Sequence, residues 1–158
     1  MPPTTLDLLT EHPFLAGLPV TWLGRLSSFS RPAYRPPTHR FFHEGRPAER
    51  FWLLQSGRVA LDITVPGRGD IVIESIGAGG VLGWSWLFPP YRWHFGAVAA
   101  EPVHAIEFEA AGVRRLLDDD AELARELDRR FMAVMVDRLQ AARRRIAELY
   151  GDGSHPGR

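Results

Sequence analysis

The stretch ERFWLLQSGRVALDITVPGRGDIVIESIGAGG, residues 49–80, decides the fold. Val59, Leu61, Ile63 and Val65 alternate with other residues, and Ile71, Val72 and Ile73 run on before Ile76. Apolar positions at period two place one row of side chains on one face of an extended strand. Between the two runs, VPGRGDIV (65–72) supplies Pro and Gly and reads as a hairpin turn. Gly45, Gly57, Gly67, Gly77 and Gly83 recur at intervals of roughly ten residues, the spacing of short strands in a small β-barrel or jelly roll. RFFHEG (40–45) and HFGAVAAEPVHAIEFE (94–109) carry the same texture outward, so a barrel is expected over 33–109.

Helices are expected on both flanks. In 5–32, Leu6, Leu8, Leu9 and Phe14 precede a second start at Pro19, followed by Trp22, Leu23, Leu26 and Phe29. Proline suits a first helical turn because its missing N–H has no partner there anyway. Over 110–150, AAGVRRLL predicts a short helix, and the Asp run before AELARELDRR supplies caps for a second one. From Ala121 to Tyr150 there is no Gly or Pro, which predicts a helix about 45 Å long at 1.5 Å per residue. Its apolar stripe runs Ala124, Leu127, Phe131, Met135, Leu139, Ala142, Ile146, Leu149. FMAVMV (131–136) is apolar all round, as needed if one face lies on the barrel and another on a second subunit. Leu127, Phe131, Met135, Leu139 and Ile146 are the expected contacts of a homodimer; the alternative is a helix that lies only on its own barrel. The fold class is α+β: a jelly-roll (double-stranded β-helix) barrel with short N-terminal helices and a long C-terminal helix, forming one domain over 1–150. GDGSHPGR (151–158) is expected to be a disordered tail.

Composition excludes several functions. Of 158 residues, 45% are apolar and 24% charged, ordinary for a globular chain. Nineteen basic residues, all Arg, balance nineteen acidic ones, so no global field draws the chain to nucleic acid or anionic lipid. With no cysteine, disulfides, thiolate metal sites and Cys nucleophiles are excluded. No apolar run is long enough to span a membrane. The start, MPPTTLDLLTEHPF, lacks the basic and apolar regions of a secretory signal, and a cytoplasmic location is expected. There is no nucleophile elbow or P-loop, and GAGG (77–80) is too short for a dinucleotide fingerprint. His39, His43, His94 and His104 leave one catalytic alternative, a metal-dependent enzyme on a cupin-like jelly roll. His39 and His43 share a face if extended, but no His-x-His pair with a nearby Glu is present, and Glu44 alternates away from His43. No metal, no cofactor and no catalytic residue are expected.

Two motifs narrow the reading. THRFFHEGRPAERFWLLQSGRVAL (38–61) has an apolar pair before Glu-Gly, a turn, and an aromatic-aliphatic strand ending in Ser-Gly-x-Val. IGAGGVLG (76–83) is a Gly-rich approach to a turn. In this order they resemble the cyclic nucleotide-binding domain of the Crp/Fnr superfamily, over roughly residues 12–150. The resemblance implies a phosphate-binding cassette at 83–100, with a short helix after Gly83 whose N–H groups face a cyclic phosphate. It also implies a Glu directly after that Gly, on the ribose 2′-hydroxyl, and an Arg ten residues beyond the Glu, on the phosphate. This chain has Trp84 and His94 there. Losing a buried charged pair costs about 2–5 kcal/mol and an unpaired buried hydroxyl roughly 1–3 kcal/mol, so ordinary cyclic AMP or cyclic GMP recognition is not expected.

GWSWLFPPYRWHF (83–95) instead concentrates six aromatic rings. Either they fill the former nucleotide cavity, or Gly83, Trp84, Ser85, Trp86, Arg92, His94 and Phe95 line an altered ligand pocket. If 92–94 is extended, Arg92 and His94 share a face, and Arg92 reaches an anion near Gly83 as an atypical nucleotide sensor would require. The alternative is Arg92 stacked on Tyr91 or Trp93 at the surface, or paired with a carboxylate. The expected function is a non-catalytic sensory or regulatory module that answers to a small ligand or a protein partner. Superfamily regulators follow the long helix with a helix-turn-helix for the major groove. The few residues after Tyr150 do not supply one, so no direct DNA binding is expected. Arg143, Arg144 and Arg145 read as a basic turn complementing the helix dipole.

Overall fold

In the computed structural model, which describes residues 2–153, the strands are β1 (Ser30–Arg35), β2 (Arg40–Phe42), β3 (Arg50–Ser56), β4 (Val59–Val65), β5 (Gly69–Ile76), β6 (Val81–Leu82), β7 (Gly96–Ala99) and β8 (Val103–Glu109). They form two antiparallel four-stranded sheets, ordered β1-β8-β3-β6 and β2-β7-β4-β5. Helices α1 (Thr5–Glu11), α2 (Val20–Ser27) and α3 (Ala110–Asp119) complete a first unit, Met1–Ala124. β1 starts inside the span expected to be helical, because Ser30 pairs with Phe108 soon after α2 ends. Pro32 is tolerated there since β1 is an edge strand.

β3 is buried on both faces from Phe51 to Leu54. Side chains alternate along a strand. Phe51 lies between Trp86 at 4.4 Å and Phe108 at 4.5 Å, nearly parallel to both. Trp52 stacks on Phe42 and donates Nε1–H to Glu107 at 3.0 Å. On β4 the expected alternation fails at Asp62, which is buried with Val59, Ala60 and Leu61. Asp62 lies on the same face as Ala60, opposite Leu61, and is covered there by Arg40, which holds it with two hydrogen bonds of 2.9 and 2.8 Å; the register shift beside it leaves Ile73 of β5 unpaired.

Two buried titratable groups are structural. Glu107, 3% exposed, accepts from Arg31, Arg35 and Trp52. Burial alone would raise its pKa, but hydrogen bonds from Arg31 and Trp52 and the charges of Arg31 and Arg50 together hold it below the usual carboxylate value. His12 accepts the Phe14 N–H at Nδ1 and bonds the Leu54 carbonyl through Nε2, which requires the neutral Nε2–H tautomer. Burial lowers its pKa, and the bond to Leu54 opposes that only in part. His39 shifts the same way, through burial and the charge of Arg35, against Glu107.

For both histidines the unfolded chain holds the proton more tightly. Their contribution to stability is complete above the unfolded pKa of about 6.5 and is lost as pH falls below it. Thermal unfolding followed from about pH 7.5 down to about pH 5.5 should therefore show a falling melting temperature. His12→Gln, which stays neutral, should flatten that slope. An equally steep slope in the variant would exclude His12 as its source.

The second unit begins at Arg125, within α4 (Ala121–Gly153). Asp120 caps this helix, accepting the Leu123 N–H at 3.1 Å. The helix continues through Gly151–Gly153, where a disordered tail was expected, and residues 154–158 of that tail lie outside the described residues. The apolar stripe also divides. Leu127 and Phe131, expected at a dimer contact, are 2% and 1% exposed. Met135 is half-buried, while Leu139 and Ile146 are exposed at 61% and 54%. Among the described residues no helix is long and apolar enough to cross a membrane.

Candidate functional site: the 83–100 cassette

Gly83 has φ +100°, a conformation that favours glycine. The turn after it, Ser85–Leu87, is a single 3-10 turn and not a longer helix. Space above Gly83 is taken by Trp93: a Cβ on Gly83 would stand 2.8 Å from Trp93 Cη2. The Trp93 indole is 4% exposed and stacks on Phe42, with centroids 3.7 Å apart and planes 11° apart. Phe42 continues the cluster to Trp52 and Phe95, and Phe95 meets Trp84 at 5.3 Å.

The expected site residues separate into three groups. Gly83, Trp84, Ser85, His94 and Phe95 do converge: Ser85 Oγ and His94 Nδ1 are 3.3 Å apart, and Trp84 is half-buried against Phe95. Trp86 does not line an opening. It is 0% exposed and packed on Phe51 beneath the cassette, so its assignment to a ligand pocket is corrected to a core position. Arg92 turns away from Gly83 and donates to the Gly45 carbonyl at 3.0 Å. The segment 91–93 pairs with the β2–β3 loop through Gly45 N–Trp93 O, Trp93 N–Arg46 O and Ala48 N–Tyr91 O bonds of 2.7–2.9 Å. Among the described residues the Arg92 side chain is engaged with Gly45 and not stacked on Tyr91 or Trp93, and the Tyr91 ring carries Arg114 instead.

Arg114 was not singled out from the sequence. From α3 it donates to the Trp86 carbonyl at 2.8 Å and lays its guanidinium 4.7 Å from the Tyr91 ring centroid. One side chain thus ties both ends of the cassette turn to the helix before α4. Nothing in AAGVRRLL distinguishes Arg114 from Arg115; only the approach of 86 and 91 does.

The four histidines do not assemble. His39 meets Phe41, His104 lies against Tyr34, His94 faces Ser85, and His43 lies in the β2–β3 loop. Among the described residues no three of His, Asp or Glu are placed to hold a metal ion.

With two antiparallel sheets, a Gly-initiated cassette and a long following helix on one chain, the match to known proteins is direct. The profile of the cyclic nucleotide-binding domain covers residues 34–120, and the chain belongs to that family. It is 22% identical over 143 residues to the CRP-like cAMP-activated global transcriptional regulator of Mycobacterium tuberculosis, covering 90% of this chain and 62% of the relative. The chain thus spans less than two thirds of that regulator's length. Among solved structures, a putative cyclic nucleotide-binding protein from Geobacter metallireducens superposes with a TM-score of 0.76 at 24% identity, over 87% of this chain and 99% of that one. A cAMP-binding acyltransferase from Mycobacterium smegmatis gives 0.61 at 27% identity, over 72% of this chain and 35% of that one.

Proposed function

We propose that this cyclic nucleotide-binding-type domain is a non-catalytic regulatory module whose nucleotide cavity is filled by its own aromatic rings. The observation that carries this is Trp93, stacked on Phe42 and pressed over Gly83 where a phosphate-bearing ligand would need room. The grips implied by the family resemblance fall on Trp84 and His94, and Arg92, the cation expected to stand in for them, is engaged with Gly45. Loss of both polar contacts removes several decades of affinity. Protein partners, including a second copy through the exposed face of α4, are then the means of action.

Tryptophan fluorescence titrated with cyclic AMP and cyclic GMP tests this reading. The wild-type chain should give no saturable response at micromolar nucleotide. The Trp84→Glu/His94→Arg variant restores both grips but leaves Trp93 in place, and it should gain nothing. A micromolar wild-type response would overturn the reading. A gain confined to the double variant would mean an open cavity that had lost only its polar contacts.

A further inference from the structure

We propose that a second cavity, walled by the β2–β3 loop and sharing only Trp93 with the 83–100 cassette, binds a small aromatic monoanion. The cavity is about 330 Å³, within the range of small-molecule sites. Its floor is the nearly buried group Phe42, Trp52 and Trp93, and half-buried Phe41 with Pro47 supplies apolar wall. Around the mouth stand Arg46, Arg50, Glu49 and His43, all exposed. Two guanidiniums against one carboxylate leave a single net positive charge, which matches one negative charge on a ligand.

These arginines differ from their neighbours. Arg31 and Arg35 are engaged with Glu107, Arg40 with Asp62, and Arg92 with the Gly45 carbonyl. The Arg46 side chain has no partner among the described residues, and Arg50 has only the field of Glu107. A free planar guanidinium beside an apolar wall is the arrangement that takes a carboxylate in a forked pair while a ring lies on the wall. Neutral or cationic rings would use the wall but lack the forked pair. The loop that carries Arg46 is bonded through its backbone to Tyr91 and Trp93, so occupancy would reach the cassette directly. The site shares Trp93 with the filled cassette and so rests on that reading.

Benzoate is the probe, with benzyl alcohol, benzylamine and inorganic phosphate as controls, measured on the full chain by ligand-observed NMR and by Trp fluorescence. Benzoate should bind with a dissociation constant on the order of millimolar, as expected for a ligand of so few atoms. The controls should bind about tenfold more weakly or not at all, because each lacks the carboxylate or the ring. Arg46→Gln/Arg50→Gln should weaken benzoate by about tenfold or more. If that variant melts early, Arg46→Gln alone carries the test, since its side chain holds nothing else in place. Trp84→Glu/His94→Arg should leave benzoate affinity unchanged, which separates this site from the cassette. Silence toward benzoate, equal binding of benzyl alcohol or of phosphate, or indifference to the arginine substitutions overturns the proposal.

Discussion

Trp93→Ala should lose about 3–5 kcal/mol of stability, the cost of deleting a large buried aromatic side chain. For a chain of this size that lowers the melting temperature by about 6–20 °C. The expectation rests on two contacts: Trp93 stacks on Phe42 at 3.7 Å, and its ring edge reaches the backbone of Gly83. Neither neighbour can follow the missing ring. Phe42 is held on β2, and Gly83 has no side chain to move. A cavity should remain, and because its lining is aromatic it should stay dry and accept an apolar guest. Indole added to Trp93→Ala should therefore raise its melting temperature while leaving the wild type unchanged, by the mass action of a ligand that binds only the folded state. Trp84→Ala is the internal comparison. Trp84 is half-buried and, among the described residues, meets only the Phe95 ring, so its removal should cost about 1 kcal/mol. A Trp93→Ala protein that melted with Trp84→Ala would show that Trp93 fills no essential space, and the filled-cavity reading would fail with it.

Much of the barrel was legible because its signals are local. The alternation of 59–65, the VPGRGDIV turn and the recurring glycines all act within about ten residues, and they became β4, the hairpin and the strand ends. What was not legible depends on distant parts of the chain. Glu107 shares its period with Val103 and Ala105, yet it is buried because Arg31 and Arg35, across β1, approach it. Asp62, on the strand face opposite the apolar row, is buried because Arg40 from β2 covers it. In the cassette, the six rings announced a packed or ligand-lined region without saying which rings lay where. Trp86 went under the turn and Trp93 over Gly83 because backbone pairing with residues 45–48 sets the facing of 91–93. That same pairing took Arg92 away from the position its period-two relation to His94 suggested. On α4, steps of three and four describe both apolar faces equally well. The stripe read as one surface was therefore two.

The exposed face of α4 should hold two copies together, and Leu139→Glu/Ile146→Glu should convert the protein from dimer to monomer. Met132, Val136, Leu139, Ile146 and Tyr150 are 49–75% exposed and follow steps of four, three, seven and four, with Arg143 filling the gap between Leu139 and Ile146. Alternating steps of three and four are the seam of a two-stranded coiled coil, and a single polar residue in such a seam sets register at some expense in affinity. A face of this size left in water is unusual for a monomer, while a second copy covers it with an identical seam, as two-fold assembly requires. Glutamates at 139 and 146 would place four carboxylates in the joint core. Each unpaired buried charge costs several kcal/mol, so the dissociation constant should rise by more than about a thousandfold, equivalent to roughly 4 kcal/mol. Arg145→Glu, on the opposite side of the helix, is the control for charge alone and should leave the dimer intact. Sedimentation equilibrium of the full chain distinguishes the outcomes, and unchanged melting of the barrel excludes unfolding as the cause. If the wild-type chain sediments as a monomer at micromolar concentration, or if the double variant remains dimeric, α4 is not the joint between subunits.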